Sequence, residues 1–214
     1  MPPGEQRLGT LIKVCGIRSV DQSARVLALG ADAIGVVTVP GSPRQVSEPE
    51  ARSIAESAGN RAVLVVTGEH PGSAGLARWW PGPIQIHAPR SDPGRRFIHA
   101  GPLDAPALPA GWTRPSARLV DAAKAGSGTA WLWREPANLG PLPLLLAGGL
   151  DAANVGAAIE AVRPWAVDVS SGVERERGVK HLELVAAFIA AVREADRRLG
   201  RTQPANPPSF EALA

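Results

Sequence analysis

The chain has 214 residues, 44% of them apolar and 20% charged, with a formal net charge of +3, which suits one ordinary domain or one compact barrel. It has no basic block, and with 4% aromatics and no Tyr it offers few base-stacking platforms, so nucleic acid is not an expected partner. Its single cysteine excludes an internal disulfide and suits a reducing cytoplasm, no Cys/His cluster has metal-ligand spacing, and neither a membrane-length apolar run nor a signal-peptide h-region is present. In chain order, "LIKVCGI" (11–17) predicts a strand, and 19–30 a helix with Ser19 as N-cap, Gln22 three residues on and Gly30 just past its end. "AIGVVTV" (33–39) is a second strand, and 47–59 a helix with the Ser47/Glu50 capping signature and Gly59 ending it. Strands follow at 61–68, 83–88, 96–101 and 117–123, separated by Pro- and Gly-rich connections too irregular for full helices after the fourth and fifth. The pattern recovers with a strand at 143–149 and a helix at 151–162, with Asp151 as its expected N-cap and Val155, Ala158, Ile159 and Val162 on one face. A strand at 166–172 and a long amphipathic helix at 181–200 complete it.

Eight apolar runs, most followed by a helix, predict parallel strands covered on both faces. The expected fold is an α/β single (βα)8 barrel, compact, with shortened or missing helices after strands 4–6. It spans 11–200, between an N-terminal extension (1–10) and a mobile Pro-rich tail (201–214). A doubly wound open sheet is the alternative, but no GxGxxG follows the first strand.

Functional groups of such barrels collect at the C-terminal ends of the strands. The first strand ends in Cys15, the second leads into "PGSPR" with Arg44, the fourth ends near His87 and the sixth at Asp121. The seventh ends in Gly148-Gly149, and the eighth in Ser170-Ser171-Gly172, just after Asp168. Glycines that let backbone N–H groups approach, with two hydroxyls, form a candidate phosphate cradle after strands 7 and 8. A thiolate in an electropositive site is a good base, and a carboxyl held partly out of water can remain a proton donor. Cys15 and Asp121 therefore read as a proton-transfer pair flanking a small substrate.

These residues lie in stretches that resemble the phosphoribosylanthranilate isomerase family of tryptophan biosynthesis. The matching segments are "KVCGI" (13–17), "GADAIGVV" (30–37), "SPRQV" (42–46), "QIH" (85–87), "LVDA" (119–122), "GSG" (126–128), "LAGGLDAANV" (146–155) and "RPWAVDVSSGVERERGVK" (163–180), in family order. The resemblance implies an isomerase that converts N-(5-phosphoribosyl)anthranilate to 1-(2-carboxyphenylamino)-1-deoxyribulose 5-phosphate by an Amadori rearrangement, with no cofactor and no metal. It implies Asp121 as general acid, Cys15 as general base and Arg44 as partner of the anthranilate carboxylate, and it adds Gly128 to the phosphate cradle. Asp168 either orients the substrate amine or holds loop N–H groups. Lys13 is expected buried against a carboxylate such as Asp168, and His87 is either a substrate contact or a satisfied strand-end histidine.

The chain departs from the family at Thr38 and Gly41 ahead of "SPR", at Ala88-Pro89 after "QIH", and in 125–133, where the family's Lys and Asp are missing. Two alternatives follow from those loops: a diverged paralogue acting on a related phosphoribosyl amine, and a phosphosugar-binding protein without turnover. Either way the expected partner is a small phosphosugar, with no membrane, and the chain acts as a monomer or homodimer.

Overall fold

The computed structural model describes residues 9–67, 74–102, 107–121, 142–202 and 209–214. Eight strands form a closed barrel in sequence order: β1 (Leu11–Cys15), β2 (Ala33–Val37), β3 (Ala62–Thr67), β4 (Ile84–His87), β5 (Ile98–Gly101), β6 (Ala117–Asp121), β7 (Leu144–Ala147) and β8 (Ala166–Val169). All eight pairings are parallel, and β8 closes on β1 with Lys13 opposite Asp168.

Among the described residues the outer helices are α1 (Val20–Ala28), α2 (Glu48–Ala58), the short α3 (Ala74–Trp79), α4 (Val155–Val162) and α5 (Leu182–Arg198). No helix is assigned between β4 and β5, nor among the described residues between β5 and β6. Among the described residues no helix is long and apolar enough to cross a membrane.

Local signals set the helix ends. Ser19 Oγ accepts from the Gln22 N–H, and Ser47 with Glu50 forms a complete capping box, so the first N–H groups of α1 and α2 have partners. Asp151 differs from expectation. Its carboxylate accepts from the Ala153 and Asn154 N–H groups, so it caps a turn, and α4 begins later with Asn154 in the N-cap place.

The first and seventh expected strands run past the observed ones, because the chain turns at glycine directly after β1 and β7. Gly16 (φ 88°), Gly148 (φ 91°) and Gly149 (φ 63°) occupy the left-handed region that glycine adopts without a steric penalty.

Alternation along each strand divides the core in two. Ile12, Val14, Ile34, Val36, Leu64, Val66, Ile84, Ile86, Leu144, Leu146, Val167 and Val169 face outward and join the apolar faces of the helices, including Val26, Ile54, Ile159 and Phe188. Leu11, Ala33, Val63, Ile98, Ala117, Leu145 and Ala166 face the lumen and fill its lower part.

That lower end is closed by a segment expected to be free. Phe210–Leu213 forms a 3-10 turn in which Phe210 and Leu213 are 1% and 3% exposed, and both join the luminal cluster beside Trp165. Ser116 Oγ donates to the Leu213 carbonyl at 2.7 Å. The expectation of a mobile 201–214 is therefore corrected at its end. Two apolar side chains gain more by covering the open base of the barrel than they lose by ordering one turn of chain.

Of the adjacent tryptophans, Trp80 is buried and donates to the Ala62 carbonyl, whereas Trp79 is 39% exposed with the Arg52 guanidinium 4.3 Å from its ring centre.

Candidate active site

The upper end of the lumen opens into a cavity of about 340 Å³ lined by Cys15, Val37, Ser42, Arg44, Val65, Gln85, His87, Leu119, Asp121, Ala147, Gly148, Gly149, Leu150, Asp168, Ser170 and Ser171. It thus brings together nine of the expected site residues from six different strand ends and their loops. Two expected residues are not among them. Gly172 sits behind the wall, where a Cβ would collide with the Leu150 carbonyl, so it permits the close approach of the two cradle loops. Gly128 lies outside the described residues.

Cys15 ends β1 with its side chain in the lumen because Leu11, Lys13 and Cys15 alternate inward. Room for the thiol comes from β2: a Cβ on Gly35, its register partner, would stand 2.7 Å from Cys15 Sγ. Gly16, directly after it, makes room for a second residue. A Cβ there would run into Cδ of Arg44, whose stem crosses the Gly16 backbone on its way to the cavity. The close succession of thiol and glycine therefore reflects two side chains converging on one rim.

Burial pushes the Cys15 thiol above its ordinary pKa; Lys13 and Lys180 pull it down and Asp168 raises it further. The electropositive surroundings that would favour a thiolate do not prevail over burial. Loss of hydration outweighs the two ammonium groups, since each of them is already paired with a carboxylate.

Lys13 is fully buried and bonds Asp168, its register partner on β8, at 2.9 Å, the pairing that the family resemblance implies. Burial lowers the Lys13 pKa, but Asp168 and Cys15 outweigh it and hold the ammonium charged. Removing either partner would strand a charge out of water, a loss of about 3–5 kcal/mol. Asp121 ends β6 at the rim and is exposed, so the partial burial expected of it is not found. On its own strand the last buried luminal residue below it is Leu119.

His87 faces the cavity, with Nε2 2.8 Å from Gln85 Nε2. Burial, then the charges of Lys13 and Arg118, lower its pKa to about 4, so it is neutral at pH 7. Gln85 carries no motif of its own, but its spacing of two from His87 places both on the luminal face. Its Oε1 is buried without a hydrogen-bond partner among the described residues.

Two further residues were missed. Glu174 and Lys180 belong to a small hairpin after β8, formed by β9 (Glu174–Glu176) and β10 (Val179–Lys180). Arg44 donates through Nε and Nη2 to the two Glu174 oxygens at 2.8 and 2.7 Å. Lys180, fully buried, donates to Glu174 at 2.6 Å and to Ser170 O and Oγ at 3.0 and 3.2 Å. Ser170 Oγ in turn donates to the Cys15 carbonyl at 3.1 Å. The Ser170 hydroxyl is thus already engaged by Cys15 and Lys180, and Ser170 and Ser171 both line the cavity. No periodicity marks Glu174 or Lys180, because they follow an irregular loop.

The arrangement offers a thiol and a carboxyl on β1 and β6, a guanidinium at one wall, and paired glycines and serines at the loops after β7 and β8. That combination fits a small anionic substrate needing two proton transfers.

Comparison with known proteins agrees. Residues 103–191 match the family described as PRAI, N-(5'phosphoribosyl)anthranilate (PRA) isomerase. The N-(5'-phosphoribosyl)anthranilate isomerase of Bordetella petrii is 38% identical over 215 residues, covering 89% of this chain and 98% of that protein. The crystal structure of TrpF from Jonesia denitrificans superposes with a TM-score of 0.74 at 35% identity, covering 88% of this chain and 98% of that one. A phosphoribosyl anthranilate isomerase in complex with reduced 1-(o-carboxyphenylamino)-1-deoxyribulose 5-phosphate superposes with a TM-score of 0.66 at 26% identity, covering 86% and 99%.

Proposed function

The chain belongs to the N-(5'-phosphoribosyl)anthranilate isomerase family, and from that premise we infer how its cavity carries out the reaction. It is an isomerase of tryptophan biosynthesis, converting N-(5'-phosphoribosyl)anthranilate to 1-(2-carboxyphenylamino)-1-deoxyribulose 5-phosphate. The observation that carries the assignment of roles is that Cys15 and Asp121 line one cavity, from strands three places apart around the ring by way of β8 and β7.

Asp121 is the general acid. It protonates the ribose ring oxygen, the C1'–O bond breaks, and the aniline nitrogen takes up the resulting charge as an iminium. Cys15 is the general base. It removes the C2' proton, whose bonding electrons neutralise the iminium and leave an enolamine. Tautomerisation moves the enol proton to C1' and yields the ketone, so the internal redox change balances without an outside oxidant.

The raised thiol pKa is compatible with this order of events. Ring opening creates a cation beside Cys15, and a nearby positive charge favours the thiolate at the step that needs it. Arg44 is the partner of the anthranilate carboxylate, for which a planar guanidinium is well shaped. Gly148, Gly149, Ser170 and Ser171 hold the phosphate, largely through the backbone. Asp168, held by Lys13, and neutral His87 form the floor beneath the sugar.

Because the mechanism needs Cys15 as a free thiol, and no disulfide engages it, we assign the enzyme to a reducing compartment, the cytoplasm. The small phosphosugar is its working partner, and it acts as a monomer or homodimer.

A fluorescence assay tests the assignment. The purified protein should consume N-(5'-phosphoribosyl)anthranilate with loss of the substrate's anthranilate-type emission, and Cys15→Ser should leave that emission steady over the same interval. Near-normal turnover by Cys15→Ser would exclude the thiol as base.

A further inference from the structure

We propose that Glu174 is the positioning residue that aims Arg44 at the aromatic carboxylate, and so sets the preference for an amine that carries one. The proposal rests on the role assigned to Arg44 above. An arginine on a loop would ordinarily sample many rotamers, at a cost in entropy whenever a ligand must be gripped. Here that freedom is removed before substrate arrives. Both guanidinium bonds to Glu174 are short and parallel, the bidentate geometry that fixes the plane as well as the position of the fork.

Glu174 is itself held rigidly. Its side chain is 3% exposed, and Lys180 and the Gly178 N–H bond its two oxygens from the hairpin side. The hairpin also rests on the loop that carries Arg44: a Cβ on Gly178 would stand 2.5 Å from the Pro43 carbonyl. On the other side the Arg44 stem lies on Gly16. Arg44 is thus clamped between residues that follow β1 and residues that follow β8, with Nη1 the one guanidinium nitrogen not used toward Glu174.

Glu174 also balances charge. Arg44 and Lys180 are two cations that both interact with Cys15, and one carboxylate bonded to both offsets their mutual repulsion. The carboxylate is held far toward its ionised form, with a pKa of about 2, because its bonds to Arg44 and Lys180 outweigh the penalty of burial.

The test compares two substrates that differ only in the carboxylate, N-(5'-phosphoribosyl)anthranilate and N-(5'-phosphoribosyl)aniline, with wild type, Arg44→Ala, Glu174→Gln and the double variant. In Glu174→Gln the ratio of the two kcat/KM values should fall about tenfold, through KM for the anthranilate substrate more than through kcat. The double variant should discriminate no less than Arg44→Ala alone, since both changes remove one device. Glu174→Asp, which keeps the charge but shortens the reach, should give an intermediate ratio and covers the case in which Glu174→Gln does not fold. A general structural role would lower both substrates equally. If Arg44→Ala loses the preference but Glu174→Gln and Glu174→Asp keep it, the positioning role is overturned. If Arg44→Ala itself keeps the preference, the carboxylate assignment of Arg44 falls first.

Discussion

The two ends of the barrel lumen are built from the same strands and differ almost completely. At the lower end Leu11, Ala33, Val63, Ile98, Ala117, Leu145 and Ala166 interdigitate, and Phe210 and Leu213 close the opening. At the upper end the inward positions include Lys13 and Cys15 on β1, Gln85 and His87 on β4, Asp121 on β6 and Asp168 on β8, beside the apolar Val37, Val65, Leu119 and Ala147. On β1 and β8 one step of two residues, Leu11 to Lys13 and Ala166 to Asp168, separates packing from chemistry. The lower end contributes apolar burial. The upper end holds charges out of water, each requiring a partner, and gains from them a cavity that is already oriented. Substitutions at the two ends should accordingly separate turnover from stability.

The largest effect is expected at the rim. Asp121→Asn keeps the shape of the side chain but cannot donate a carboxyl proton, so kcat should fall by about 10³ while the melting temperature stays within a few degrees of wild type. A kcat within a factor of a few of wild type in steady-state assays would break the contrast.

At the opposite end, Phe210→Ala opens a void beneath Trp165 and should lower unfolding stability by about 3 kcal/mol, read as a shift in urea midpoint. Its kcat/KM at low temperature should remain close to wild type. A selective loss of turnover there would mean that the two ends are not separate.

Acid sharpens the comparison further. His87 and His99 are both lowered from 6.5 to about 4, by burial first and then by neighbouring cations. In the unfolded chain each takes up a proton near pH 6.5, whereas in the folded protein it does so only near pH 4. Folded stability is therefore intact above pH 7 and falls as the pH drops from about 6.5 to 4, by a few kcal/mol in all. Urea titrations at pH 7.5 and 4.5 should show that decline, and His99→Phe should make it shallower. An unchanged slope in the variant would remove His99 from the account.

The smallest change tests the contact between Gly16 and Arg44. Gly16→Ala imposes a side chain at φ 88° and presses on the Arg44 stem, so stability should fall by about 1–2 kcal/mol and KM should rise several-fold. A wild-type KM would show that Arg44 tolerates displacement.

Much of this was legible without coordinates, and the particular residues show why. Strand positions follow from runs apolar on both faces, and the starts of α1 and α2 follow from Ser19 and from the Ser47/Glu50 pair, all of which act within a few residues. The location of Cys15, Asp121, Gly148-Gly149 and Ser170-Ser171 follows from counting to the end of each strand. Asp151 caps the turn ahead of α4 and not the helix itself, because a good N-cap residue serves a preceding turn equally well. Glu174 and Lys180 left no periodic signal at all.

What the sequence by itself determined is the order of β and α units, which face of each strand turns inward, and which chemical groups stand at the upper rim. These depend on local spacing, and spacing is written in the chain. Only the tertiary structure decided that Glu174 holds Arg44 from 130 residues away, that Phe210 returns to seal the base, that Asp121 is exposed, and that the Cys15 thiol is raised rather than lowered. Ion pairing and desolvation depend on distances between groups remote along the chain, and those distances exist only once the barrel has closed.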